Sequence, residues 1–132
     1  MNSPAEVYLQ NVVENADPIQ LVIMLYDKAL SCMDEALSAM EGDLEELENL
    51  KKKAENLTKV VDILVVLKAS LDVERGKEIA KNLGEIYDIL INELVRINMT
   101  NDREALVEVK NIMESLRDAW EEARGNVKND GR

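Results

Sequence analysis

The side chains of this sequence that could do chemistry are 27 carboxylates and one thiol, Cys32, with no histidine to act beside them. Without imidazole, the chain lacks the Glu-x-x-His pairs of di-iron bundles, histidine-ligated haem and histidine-based nucleophilic triads. Cys32 stands one position from an apolar helical stripe, which favours a small buried hydrophobe over a reactive thiolate. We therefore expect neither a metalloenzyme nor a thiol enzyme.

The carboxylates and glycines follow patterns that are structural rather than catalytic. The acidic run over Asp43–Glu48 is typical of a helix N-terminus facing solvent, not of an acid and base pair. The five glycines are isolated at positions 42, 76, 84, 125 and 131, so no glycine-rich phosphate loop is present. The sequence thus predicts a protein that is not an enzyme and holds no cofactor or metal.

Composition narrows the possible partners and compartment. A chain of 132 residues is the size of one domain, and its net charge of −11 opposes binding to nucleic acid. One cysteine cannot form an internal disulfide, and the apolar run Ile63–Leu67 is far too short to span a membrane. With no basic and apolar leader at the N-terminus, we expect a cytoplasmic protein without membrane insertion.

Four long segments carry apolar residues at spacings of three and four, the period of an amphipathic helix. The first helix should span residues 18–41, because Asp17 is a good N-cap, Pro18 suits the first helical position and Gly42 favours a stop. Helices of about 22 to 28 residues with short connections bury their stripes only as antiparallel neighbours. The sequence therefore predicts an all-α fold, an antiparallel up-down four-helix bundle.

The other helices carry their own signals. Asp43 with Glu46, and Asn101 with Glu104, repeat the capping-box pattern and predict the starts of the second and fourth helices. Gly84 lies inside the third helix, which suggests that another backbone comes close there. The stripe of that helix alternates four and three as a coiled-coil seam does, through Ile79, Leu83, Ile86, Leu90, Leu94 and Ile97.

The two ends of the chain fall outside the bundle predicted for residues 17–124. Residues 1–16 have apolar positions at helical spacing but are too few for a stable isolated helix. Two interpretations stay open: a fifth helix that plugs one end of the bundle, or a detachable lid over a groove meant for another helix. Residues 125–132 are predicted to form a disordered tail.

Several short strings occur together in a distinctive order along residues 8–123. They are Tyr8, Asp17-Pro18, Met24-Leu25-Tyr26-Asp27, Leu71-Asp72, Gly76-Lys77-Glu78-Ile79-Ala80-Lys81-Asn82-Leu83, Ile86-Tyr87-Asp88 and Asp118-Ala119-Trp120. With these strings in that register, the sequence resembles the FliS family of flagellar secretion chaperones, although a small residue is common in the family where Lys28 stands.

This resemblance implies a cytosolic export chaperone that binds the disordered C-terminal segment of flagellin one-to-one. It would keep flagellin from polymerising and help deliver it to the export gate of the flagellar type III apparatus. The rival interpretation is a helical module that self-associates and has no disordered client, whereas a free chaperone should be largely monomeric.

The resemblance also implies which residues meet the client. In the family the N-terminal segment covers part of the client site, which favours the lid interpretation here. The implied lid residues are Val7, Tyr8, Leu9 and Val12, and the implied groove residues are Pro18, Leu21, Val22, Leu25, Tyr26 and Tyr87. Apolar positions outside the seams are further candidates, namely Val65, Val66, Ile89, Ile91 and Val95.

Overall fold

The computed structural model describes residues 3–4 and 17–130, and four helices account for nearly all of the second range. They are α1 (Pro18–Glu41), α2 (Leu47–Ala69), α3 (Val73–Thr100) and α4 (Arg103–Asp130). Helix α1 packs on both α2 and α4, α2 also packs on α3, and the contact between α3 and α4 is the smallest of those between neighbouring helices. The predicted all-α bundle is confirmed.

The start and end of α1 follow the sequence signals. The Asp17 carboxylate accepts a hydrogen bond from the Gln20 N–H at 2.7 Å, and Pro18 occupies the first turn. At the other end, the Gly42 N–H donates to the Ala39 carbonyl and closes the helix. The observed span equals the predicted residues 18–41.

The predicted cap of α2 is wrong. The Asp43 carboxylate accepts from the Glu45 N–H at 2.9 Å and so closes a separate turn. Helix α2 begins only at Leu47, and its N-cap, Glu46, makes no side-chain capping bond. A short acidic side chain can stabilise a local turn as well as a helix start, and here the turn prevails.

The predicted cap of α4 is displaced by one residue. Asn101 has φ 59°, in the left-handed region, and ends α3 rather than starting α4. The cap is Asp102, whose carboxylate accepts from the Ala105 N–H at 3.1 Å. Asparagine tolerates the left-handed conformation better than most residues, which suits it to a helix C-terminus.

Two glycines affect their helices differently from expectation. A Cβ at Gly84 would meet only the Leu71 side chain, at an ordinary 3.6 Å, so the predicted close backbone approach is wrong. Helix α4 continues past residue 124, the predicted end of the bundle, through Gly125 to Asp130. A single glycine costs about 1 kcal/mol in a helix, which does not suffice to end α4.

The core is formed where the four stripes meet. Cys32 is buried in this core, as expected, and Leu90 is only 3% exposed. Core members come from every helix: Tyr26, Ala29, Met33 and Ala36 of α1, Leu57, Val60, Leu64 and Leu67 of α2, Tyr87, Leu94 and Ile97 of α3, and Leu106, Val109 and Met113 of α4.

A ladder of ion pairs joins α1 to α4. Four basic residues of α4 recur every seven positions, and each faces an acidic residue of α1 or its N-cap. As residue numbers rise along α4 they fall along α1, so the two helices are antiparallel. The pairs, called here the α1–α4 ladder, are Glu41–Arg103, Asp34–Lys110, Asp27–Arg117 and Asp17–Arg124.

Lys53 is a buried cation with its own partners. Its ammonium group donates to the Asn98 carbonyl at 2.8 Å and to the Asn101 side-chain oxygen. Both acceptors lie at the C-terminus of α3, where unpaired carbonyls favour a positive charge. Burial lowers the pKa of Lys53, but these contacts compensate the charge and tie α2 to the end of α3.

Helix α3 is kinked near its N-terminus. Lys77 has φ 47° and ψ −121°, a conformation that is strained for any residue with a Cβ. The kink leaves a single turn, capped by Asp72, ahead of the main body of α3. It also brings Ala80 so near that a Cβ at Gly76 would lie 2.7 Å from the Ala80 Cβ. Position 76 therefore requires glycine.

Replacing Leu90 with alanine tests the core. Leu90→Ala should lower the free energy of unfolding by about 2 to 5 kcal/mol, because apolar burial is lost and a cavity remains. The neighbouring Ile89, which is exposed, serves as the control, and Ile89→Ala should change stability by no more than about 0.5 kcal/mol. Urea unfolding of both variants decides, and equal effects would contradict the core assignment.

A second prediction concerns the strain at Lys77. At an ordinary helical position, alanine is more stabilising than glycine by about 1 kcal/mol. At a positive φ the order should reverse, because only glycine adopts this conformation without strain. We expect Lys77→Gly to unfold at a higher urea concentration than Lys77→Ala. The opposite order would show that α3 is regular at this position in solution.

Candidate functional site

An apolar groove of about 290 Å³ opens at the end of the bundle where α1 begins. All four helices reach it, because this end combines the starts of α1 and α3 with the end of α2 and a late turn of α4. The lining residues are Pro18, Ile19 and Val22 of α1, Leu67 of α2, Ser70, Leu71 and Asp72 of the loop, Gly76, Ile79, Ala80, Leu83 and Tyr87 of α3, and Trp120 of α4.

Two buried tyrosines and a tryptophan meet at the base of this groove. The hydroxyl oxygens of Tyr26 and Tyr87 lie 2.6 Å apart in a buried hydrogen bond, and Trp120 packs against the core that contains both phenols. Burial raises the pKa of both tyrosines, so each keeps its proton at physiological pH. We call these three residues the aromatic cluster.

The kinked start of α3 supplies much of the groove wall. Gly76, Ile79 and Ala80 flank the strained Lys77 and line the groove. Ile79 is 73% exposed although it belongs to the predicted seam of α3. An apolar side chain that fits the helical period yet stays exposed is available to a partner.

The structure brings together only part of the predicted groove. Pro18, Val22 and Tyr87 line it, whereas Tyr26 lies fully buried behind it as a member of the aromatic cluster. Leu25 is packed against the core, and Leu21 is half-buried without lining the groove. The predicted lid residues Val7, Tyr8, Leu9 and Val12 lie outside the residues that the structure describes. The further candidates Val65, Val66, Ile89, Ile91 and Val95 lie elsewhere on α2 and α3.

Sequence reasoning missed several groove residues. Leu67, Leu71, Gly76, Leu83 and Trp120 line the groove but were not among the predicted site residues. Except for Leu67, all of them belong to the strings that carry the family resemblance. Those strings were the available signal, because they converge on one end of the bundle from three segments of the chain.

The surface chemistry outside the groove consists of ion pairs. The Arg117 guanidinium contacts Asp27, and this contact raises the pKa of Arg117. Asp34 raises the pKa of Lys110 in the same way.

Within residues 3–4 and 17–130, no group of three His, Cys, Asp or Glu side chains could hold a metal ion. Among the described helices, none is long and apolar enough to cross a membrane.

Comparison with known proteins gives one consistent result. The sequence model of the family described as "Flagellar protein FliS" matches residues 1–127. The chain is 38% identical to the flagellar secretion chaperone FliS of Salmonella typhimurium over 118 residues, which are 89% of this chain and 84% of the relative. It is 33% identical to that of Bacillus subtilis, over 93% of this chain and 87% of the relative. For the Escherichia coli chaperone the identity is 32%, over 90% and 85%. The chain therefore belongs to the FliS family, whose members are flagellar secretion chaperones and not enzymes.

Proposed function

We propose that this protein is a cytoplasmic export chaperone that binds the disordered C-terminal segment of flagellin one-to-one. By covering that segment it keeps flagellin from polymerising prematurely, and the complex is then delivered to the gate of the flagellar type III export apparatus. The observation that carries this proposal is the apolar groove at the start of α1, in a chain whose relatives are named flagellar secretion chaperones.

The groove suits a segment that folds as it binds. Its volume accommodates only a few side chains, so it acts as an anchor point rather than as the whole site. A disordered segment can place one turn of an amphipathic helix there and continue over other surfaces. Exposed apolar residues on α2 and α3, such as Val65, Ile89 and Val95, are available for that continuation.

The start of α1 supports a lid over the same groove. Pro18 and Ile19 line it, so the chain that precedes Asp17 is covalently attached at its rim. The apolar residues Val7, Tyr8, Leu9 and Val12 give that segment a face suited to an apolar groove. We propose that residues 1–16 cover the groove in the free chaperone and are displaced by flagellin.

A second function is a module that self-associates without a disordered client. The observation in its favour is the large exposure of Met99 and Ile79, at 79% and 73%. Such a module would form oligomers that depend on its concentration, whether or not flagellin is present. A chaperone would be monomeric when free and would add one flagellin segment. Light scattering on a size-exclusion column distinguishes the two.

The central test is calorimetric titration with a peptide covering the C-terminal segment of flagellin from the same organism. We expect one-to-one binding, a large negative heat-capacity change and a gain of helix by circular dichroism, because apolar burial is coupled to folding. The variant Cys32→Ala, altered at a buried core position, should bind equally well. Saturation without added helix would refute the coupling of folding to binding, and absence of binding would refute the function.

The lid proposal predicts the behaviour of a truncated protein that begins at Ala16. It should stay helical but bind a hydrophobic dye more strongly and self-associate more, because the groove is no longer covered. Fluorescence and light scattering against the full chain measure both effects. Unchanged dye binding together with unchanged association would mean that residues 1–15 cover nothing.

A further inference from the structure

The start of α3 is attached to the bundle by few contacts. Of residues 72–79, only Gly76 is not exposed, and Ala80 is the first buried residue of the helix. The one ion pair described for this stretch, between Arg75 and Asp72, stays within it. The turn that precedes Lys77 is therefore able to change direction without removing a buried side chain from the core.

The sequence of this stretch does not itself impose a kink. Residues 73–83 contain no proline, which is the usual cause of a sharp bend in a helix. The Asp72 carboxylate accepts from the Arg75 N–H at 3.2 Å, and this cap would start a regular helix equally well. A regular helix from Val73 onward would also relieve the strained backbone of Lys77. A kinked and a straight start are thus competing conformations of the same residues.

Gly76 distinguishes the two conformations. In a regular helix, the Cβ atoms of positions 76 and 80 lie about 5 to 6 Å apart. In the kinked conformation, a Cβ at Gly76 would lie only 2.7 Å from the Ala80 Cβ. A side chain at position 76 is therefore excluded from the kinked start and accommodated by the straight one. The requirement for glycine at this position belongs to the kink.

The shape of the groove depends on which conformation is present. Its wall includes residues on both sides of the kink, because Leu71 and Gly76 precede Lys77 whereas Ile79 and Ala80 follow it. The part before the kink continues the loop from α2, and the part after it continues into the buried body of α3. Straightening α3 would displace these two parts of the wall relative to each other.

We propose that the start of α3 is a two-state switch with its hinge at Lys77, in which the kinked state forms the groove and the straight state dismantles it. The inference deepens the proposed function and rests on it, since flagellin is the occupant that would hold the kinked state. A ligand that binds one state shifts the population toward it, and its apparent Kd rises as the competent fraction falls. The switch thereby sets how much of the free chaperone is ready for a client.

Three substitutions in the full-length chain form a matched set. Gly76→Ala should favour the straight state, because its Cβ fits only there and alanine forms helix better than glycine. Lys77→Gly should favour the kinked state, because glycine adopts a positive φ without strain. The control is Gly84→Ala, the same change in the same helix, whose Cβ would meet the Leu71 side chain at an ordinary 3.6 Å.

Double electron–electron resonance between two spin labels measures the switch directly. The labels are attached through Glu74→Cys and Asn92→Cys, both at exposed positions, in a Cys32→Ala background. A straight α3 places these positions about 27 Å apart, and the kinked distance should be shorter because the kink brings positions 76 and 80 together. We expect Gly76→Ala to give the straight-helix distance and the other two variants to keep the shorter one. The same distance in Gly76→Ala as in the wild type would overturn the switch.

Calorimetric titration with the flagellin C-terminal peptide links the switch to the groove. We expect Gly76→Ala to raise the Kd about tenfold or more, because most molecules are then in the straight state, and Gly84→Ala to stay within about twofold of wild type. Urea unfolding is the companion readout. Gly76→Ala should unfold at no lower a urea concentration than the wild type, because straightening relieves the clash. A clear loss of stability would show that α3 does not straighten, and the inference would be wrong.

The outcomes separate this inference from the function on which it rests. If Gly76→Ala straightens α3 but binds the peptide with wild-type affinity, the groove does not depend on the kink, and the inference fails while the function stands. If the wild type does not bind the peptide, the proposed function fails, and with it the selection of the kinked state by a client. The spin-label distances still decide in that case whether the hinge at Lys77 exists.

Discussion

The hydrogen bond between Tyr26 and Tyr87 crosses the diagonal of the bundle. Helices α1 and α3 do not pack against each other directly, so only long side chains can link them through the core. Two phenols placed end to end have that reach, and their hydroxyls meet at 2.6 Å. They hold α1 and α3 at a separation that shorter side chains could not bridge. The groove lies beside this bridge, so its width depends on two residues that contribute little exposed surface.

The α1–α4 ladder fixes the axial position of the third member of the cluster. Trp120 lies between two basic residues of the ladder, Arg117 and Arg124, whose partners are in α1 and at its N-cap. A slip of one helical turn would move Trp120 by about 5.4 Å, out of reach of the phenols. The side chains of each pair are partly exposed, and such a pair contributes only about 0.2 to 1 kcal/mol. The ladder matters because every pair is lost at once in the wrong register, so it selects the register more than it adds stability.

The sequence predicts the faces of the helices better than the shape of the bundle end. Periodicity predicted that Leu90 and Cys32 are buried, because burial follows the helical stripe. It could not show that Leu67 and Trp120 line a groove, since that depends on the height at which neighbouring helices diverge. The caps at Asp43 and Asn101 failed for a related reason, because each side chain has a competing local use. The basic residues of the ladder form a seven-residue repeat that can be read in the sequence of α4. Their acidic partners could not be predicted without knowing that α1 packs on α4.

Two features of this structure are unusual for a folded protein, a buried lysine and a strained backbone, and only one of them lies beside the groove. The buried charge of Lys53 lies far from the groove and is compensated by acceptors at the end of α3. By contrast, the strained backbone of Lys77 lies beside the groove, between the lining residues Gly76 and Ile79. Natural sequences tolerate such departures mainly where function needs them. The strain at Lys77 is the geometric cost of the kink that turns Gly76, Ile79 and Ala80 toward the groove, so the shape of the groove depends on it.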